Sequence, residues 1–557
     1  MDRRTSIQTL FRGSKKASGR TASSAMVLNG GLSPYQGPWT RSEAAHLLRR
    51  ASFGPTQDEI REAHQLGLDG AVAKLFEPTV LPDPPINYIN TTDPFVPVGD
   101  TWIDAAYVVG INLRGYRVQS LYAWTVNNML TGGFNIREKM TLFWHNHYAT
   151  EMGVVNDPKF QYRYINLLRS NATGNFRELT KLITIDPTML RYLNGNQNTR
   201  NNPNENYARE LLELFTIGKG PQVGPGDYTN YTEDDILEIA KVLTGWRDRG
   251  YNTNDPTVEV TVEFRNNVHT LGEKTLSHRF DNHVIPELGD QEYAYLIDRI
   301  FEKPACALFL ARKLYRWFVY YDITPEIEVD VINPLADLIL ANDYDISEAL
   351  KALLSSEHFF DACIRGAMIK HPIDYMMSML RKSGWSAPGD LVIQYRYWRL
   401  IHPYYDAMQM GYFNPPGVSG WKAWYQDPAW YQSWLTSVTL PLRANAAIQF
   451  AYTGIQVGNN GRAMFPVLEW VATLDDPTLP DAVIDGLALQ LFAHPVSETK
   501  KAYLKEVLLP GLPDYEWTLE YTDHLADPNN TELANAVANK LRNLIATMMQ
   551  MPEYQLS

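Results

Sequence analysis

The stretch "NIREKMTLFWHNHYAT", residues 135–150, decides how the rest of the chain is read. With Asn135 as N-cap and a helix starting at Ile136, each residue turns by about 100°. Ile136, Met140, Phe143, Trp144 and His147 then share one stripe, while Glu138, Thr141 and His145 lie on the other side. Histidines at i and i+2 share a face on a strand but point far apart on a helix. A helical metal pair wants i,i+3 or i,i+4 spacing, so "HNH" is not a chelating pair and the two rings do different jobs. His145 is expected to pair with Glu138 on the outer face. His147 has two competing readings: a core histidine satisfied by one hydrogen bond, or a ligand or proton carrier facing an internal pocket.

Helix signals continue in both directions. Thr40 with Glu43, Thr56 with Glu59, Asn135 with Glu138 and Thr232 with Asp235 all have capping-box spacing. Helical apolar periodicity follows in "PACALFLARKLYRWFVYY" (304–321), "NPLADLILA" (333–341), "DISEALKALLSS" (345–356) and "ELANAVANKLRNLIATMMQ" (532–550). One segment breaks the pattern: "TVEVTVEF" (257–264) alternates with the period of a half-buried strand, and "KTLSHRF" (274–280) is its expected hairpin partner. Proline-rich residues 78–100 read as a long ordered loop. The expected fold is mainly α: a large multi-helical globular domain over residues 31–557 with one small β-hairpin near 257–280, behind a disordered basic tail, residues 1–30.

That tail, "MDRRTSIQTLFRGSKKASGRTASSA", carries six Lys and Arg in its first 20 residues against Asp2 alone. Setting this +5 aside takes the net charge of −13 to −18 for the remainder, which argues against an electrostatic nucleic-acid footprint. Arg3–Arg4 suggests a twin-arginine export signal, but "SIQTLF" is too short and too polar for the apolar segment such a signal needs. The compartment is therefore open between extracytoplasmic, through a degenerate signal, and cytoplasmic. The apolar run "ACALFLA" is far short of the roughly 20 residues of a membrane span. Cys306 and Cys363 have no CxxC spacing and read as inert thiols.

Two further segments carry candidate chemistry. "NENYARELLELFTIGKG" (204–220) reads as a short helix capped by Asn204 and ended at Gly218. Glu205, Arg209 and Glu213 form an i, i+4, i+8 charge ladder with Glu210 beside it. The ladder is either a solvated face or a buried network holding a catalytic carboxylate at a shifted pKa. "GYFNPPGVSGWKAWYQDPAWYQSW" (411–434) gathers Trp421, Trp424, Trp430 and Trp434 behind Pro415–Pro416. Such rings either stack on sugars or pin a loop to the helical body.

"HLLRRASFGPT", "REKMTLFWHNHYAT", "NENYARELLELFTIG", "YTEDDILEIAKVLTGW", "HPIDYMMSMLR" and "NPPGVSGW", in this order, resemble the bacterial domain-of-unknown-function family numbered 1800, with "MMQMPEYQLS" similar to its closing helix. The likeness runs over about residues 38–557. It implies a largely helical protein, often encoded beside a partner from the family numbered 1501, which resembles sulfatases and phosphatases. The family's "HDxGxKT" segment stands here as "HTLGEKT" (269–275): His269, Gly272, Lys274 and Thr275 match, and Thr270 replaces the usual aspartate.

Two functions follow as expectations. The first is an acid–base or metal-assisted enzyme acting on a polysaccharide or related polymer, its pocket between the 136–148 and 204–217 helices. His147, Glu205, Arg209, Glu210 and Glu213 would be its catalytic groups, and His269, Lys274, Trp421 and Trp424 would hold substrate. A divalent metal would draw on the carboxylates if hard, or on His145 or His147 singly if zinc-like. The second is a non-catalytic helical scaffold that binds a partner protein or glycan.

Overall fold

The computed structural model describes residues 31–421 and 431–557. Within them the chain is 56% helical, and its strands form only short antiparallel pairs, so the fold is mainly α. The capping boxes at Thr40, Thr56 and Thr232 all form, opening the helices Arg41–Ala51, Gln57–Leu75 and Glu233–Val242. In each, the threonine hydroxyl and the acid three residues on satisfy one another's backbone N–H groups. The predicted helices over 304–321, 333–341, 345–356 and 532–550 appear as Pro304–Phe318, Asn333–Ala341, Ser347–Leu354 and Thr531–Gln550.

The box at Asn135 does not form. The helix runs Arg137–His147 without a reciprocal cap, although the Asn135 side chain accepts from the Arg137 N–H. Glu138 is drawn elsewhere, into a bidentate pair with the buried guanidinium of Arg169 at 2.8 and 3.0 Å. A charge-assisted fork of this kind outweighs a single backbone hydrogen bond. This also corrects the partner assigned to His145, which is buried and not on an outer face.

Strand pairing differs too. Thr261–Phe264 pairs with Trp246–Arg249 upstream, not with the segment downstream of it. Lys274–Thr275 instead pairs with Val284–Ile285, and two further two-residue or three-residue pairs lie at 222–228 and 455–463. Residues 78–100 do form a loop without helix, tied by the buried Asn87 amide donating to the Asn90 and Val96 carbonyls.

The helix Arg137–His147 packs against Pro158–Ser170 and Arg114–Thr131, and its buried side joins one contiguous apolar core that reaches from Ala44 to Tyr554. Among the described residues, no helix is long and apolar enough to cross a membrane. Cys306 is buried and Cys363 half-buried, and both are free thiols.

Candidate functional site

Of the three residues of "HNH", His145 and Asn146 hold one loop and His147 holds another segment. His145 Nε2 accepts from the backbone N–H of Phe413 at 3.2 Å, and its ring stacks on Tyr412 and meets the edge of Trp421. Burial pushes its pKa down to about 3. Asn146 Oδ1 accepts from the Trp421 N–H at 2.9 Å, beside Gly420, whose φ is +80°. A Cβ at Gly420 would collide with the Asn146 backbone and amide oxygens, so only glycine fits there. Together these contacts clamp the loop 411–421 onto the end of the helix, with Met152 adding a 2.8 Å bond to the Phe413 carbonyl.

His147 faces the interior, as its helical phase requires, and is only 1% exposed. Its Nε2 bonds the Phe215 carbonyl at 3.0 Å, which makes that nitrogen the donor and leaves Nδ1 to accept from the Lys313 ammonium, also at 3.0 Å. Lys313 Nζ donates as well to the Leu214 carbonyl at 3.1 Å. Leu214 and Phe215 stand in the last turn of the acidic helix, where carbonyls lack helical partners. His147 and Lys313 therefore cap its C-terminus. Burial, then the neighbouring charge of Arg316, brings the Lys313 pKa down to about 7, and burial with the Lys313 charge holds the His147 imidazole well below its ordinary value. Lys313 is the partner of His147 that sequence reasoning missed, because it comes from a helix 166 residues away.

The acidic helix begins as an α-helix, Glu205–Glu210, with Asn204 accepting from the Tyr207 N–H, and continues as a π-helix over Leu211–Thr216. Gly218 closes it at φ +69°. The charge ladder is not internal to the helix. Arg209 turns to Glu233 on the helix Glu233–Val242 in a bidentate pair at 2.9 and 2.6 Å, which lowers the Glu233 pKa. Glu213 accepts from the Tyr231 hydroxyl at 3.1 Å, and Glu205 is exposed. Glu210 is half-buried and makes no hydrogen bond or ion pair among the described residues. Desolvation, reinforced by the charge of Glu213, raises its pKa to about 7.

A cavity of about 480 Å³ opens at the start of this helix, lined by Asn194, Gln197, Asn202, Asn204, Glu205 and Asn206. Asn204 is committed to its cap and to the Leu193 carbonyl, whereas the other five polar side chains make no hydrogen bond among the described residues. Asn206 and Glu210 are i,i+4 neighbours and share a face of the helix. Tyr192, next in sequence to the cavity residue Leu193, has its pKa raised by burial and by the charges of Glu151 and Glu210. Another cavity, of about 360 Å³ near Glu77, Arg137 and Arg169, contains none of the candidate residues.

The remaining candidates lie apart. His269 and Lys274 are buried around Glu292: the His269 Nε2 stands 3.2 Å from one carboxylate oxygen and the Lys274 ammonium 2.6 Å from the other. His269 Nδ1 lies 2.8 Å from the Thr244 carbonyl, which Nδ1–H satisfies. Burial alone would raise Glu292, but the hydrogen bonds from His269 and Lys274 outweigh it and lower its pKa. Trp421 is 1% exposed, so its ring faces protein instead of solvent. Trp424 lies outside the described residues. Among the described residues no three His, Cys, Asp or Glu side chains converge as metal ligands.

The family model described as "Protein of unknown function (DUF1800)" matches residues 46–556, and the chain belongs to that family. No curated protein and no solved structure matches it.

Proposed function

We propose that this DUF1800 chain is an acid–base enzyme acting on a polysaccharide or related polyhydroxylated polymer, bound in the amide-lined cavity at the start of the acidic helix. The observation that carries the reading is the placement of Glu210 one helical turn beyond Asn206, which lines a cavity where five of the six polar side chains are uncommitted. Side-chain amides offer paired donors and acceptors, the pattern that vicinal hydroxyl groups match. A carboxyl with a pKa near 7 keeps its proton at neutral pH and can give it to a leaving oxygen. Glu213, whose charge helps hold that proton on Glu210, is the second carboxylate of the pair. Glu205 lines the entrance and is positioned to bind hydroxyls.

The test is reducing-end release from a panel of neutral and acidic polysaccharides. Wild-type protein should turn over at least one of them, with kcat/KM falling as pH rises through about 7. Glu210→Gln should lose at least about 10²-fold while keeping its circular dichroism spectrum. Absence of release from every polymer, or full activity in Glu210→Gln, would sink the proposal.

A second reading, a scaffold for a partner protein, is favoured by a separate observation. Tyr515 and Leu519 are 64% and 55% exposed one turn apart on the helix Asp514–Ala526, with Leu512 and Tyr503 also exposed nearby in sequence. The partner from the family numbered 1501 that the resemblance implies is the protein to try. Under the scaffold reading, co-purification with it is lost in Tyr515→Asp/Leu519→Asp and retained in Glu210→Gln.

A further inference from the structure

Several of the segments that carry the family resemblance meet at one place inside the molecule. "HLLRRASFGPT" delivers Arg49 and Arg50, "REKMTLFWHNHYAT" delivers Lys139, the "HPIDYMMSMLR" helix delivers Asp374 with Lys370 and Lys382 flanking the motif, and the closing segment delivers Tyr554. Arg443 joins them from the helix Thr439–Ile448. All six cationic side chains are at most 4% exposed. Asp374 is the one carboxylate among the described residues that acts on this group, and it is engaged by Lys139 at 3.1 Å.

The cations are held by neutral groups. Arg49 Nη2 donates to the Leu489 and Phe492 carbonyls, and Arg50 Nη2 to those of Val319 and Ile364. Arg443 donates to the Lys370 carbonyl at 2.7 Å, and Lys370 Nζ to the Tyr554 carbonyl at 2.6 Å. The Lys370 and Lys382 ammonium groups share the Tyr554 ring, 3.7 and 5.8 Å from its centroid. What remains is a set of fully buried donors with no acceptor among the described residues: Arg49 Nε and Nη1, Arg50 Nε, Arg443 Nε and Lys382 Nζ. The Arg49 charge reaches Lys382: burial followed by that charge holds Lys382 well below its ordinary pKa. A buried lysine can shed its proton, but a guanidinium cannot under any condition the folded protein meets. Buried charge without a counter-charge is costly, and buried N–H groups are expected to find acceptors.

We infer that the interior holds a small inorganic oxyanion of the phosphate or sulfate class, accepting from Arg49 and Lys382 with Lys370 beside it. Donors come from separate side chains, a guanidinium and an ammonium, which suits an ion with several oxygens. Donors this deeply buried are out of a polymer's reach, so this site is distinct from the cavity at Glu205 and Asn206 and stands whether or not that cavity is catalytic.

The experiment uses the full chain purified and exchanged into buffer free of phosphate and sulfate. After denaturation and filtration, ion chromatography should find about one equivalent of phosphate or sulfate per wild-type chain, and which peak appears identifies the ion. Lys382→Met should carry less than a tenth of an equivalent, and Lys382→Arg should recover most of it. Phosphate or sulfate should raise the wild-type melting temperature above that in sodium chloride of equal ionic strength, and this increment should vanish in Lys382→Met. No released oxyanion from wild type, or chloride alone, overturns the inference without need of any variant. So does a Lys382→Met protein that melts at or above wild type, the result expected if Lys382 is simply a neutral amine facing ordered water.

Discussion

Two side chains with displaced pKa values make opposite demands on stability. Glu210 is raised from 4.5 to about 7, so its carboxyl favours the folded state below the unfolded value, and that contribution disappears as pH climbs through about 7. Glu210→Gln should therefore melt higher than wild type at pH 8 and near it at pH 4.5. The gain should be about 1–3 kcal/mol, discounted because the carboxyl is only half-buried. Lys313 is lowered from 10.5 to about 7, so the sign reverses: its contribution is intact above about 10.5 and is lost as pH falls to about 7. Between pH 10 and pH 7 wild type should lose on the order of 2–4 kcal/mol relative to Lys313→Met. Urea denaturation of both proteins at the two pH values reads this difference. His147 shows how far a single residue can be read from sequence. Its inward direction follows from helical phase alone, whereas its partners, Lys313 and the carbonyls of Leu214 and Phe215, come from distant chain and leave no local trace.

At the level of elements, what was legible was what is local. Thr40, Thr56 and Thr232 form their boxes because both halves of each lie within one turn of chain. Asn135 fails because its Glu138 is bonded to Arg169, 31 residues away, which no capping rule registers. The strand at 261–264 had the right period, but period says nothing of partner, and Trp246–Arg249 was available upstream. The π-helical turn at Leu211–Thr216 was likewise invisible, since its apolar spacing also fits an α-helix. The clamp between "HNH" and the loop 411–421 joins two segments that looked unrelated. Gly420→Ala tests it: left-handed backbone costs a β-carbon residue about 1–3 kcal/mol, and the collision with Asn146 adds to that. The variant should be destabilised by at least about 2 kcal/mol and should be nicked by protease in 411–434 sooner than wild type.

For the whole molecule, the reading of residues 31–557 as one domain makes a calorimetric statement. One continuous core links Ala44 to Tyr554, and the buried basic centre draws on segments from both ends of it. A thermal scan should show a single endotherm, with Glu292→Gln shifting all of it downward by the roughly 3–5 kcal/mol typical of breaking a buried ion pair. Two separated transitions, with only one responding, would divide the chain. The contact of Arg49 with the Leu489 and Phe492 carbonyls also has a consequence for biosynthesis. A ribosome adding 5–20 residues per second needs roughly 20–90 s to travel from one to the other. Throughout that interval the buried Arg49 guanidinium has no carbonyls to bind and the far side of its helix is uncovered, so this chain should depend heavily on holdase chaperones at the tunnel exit.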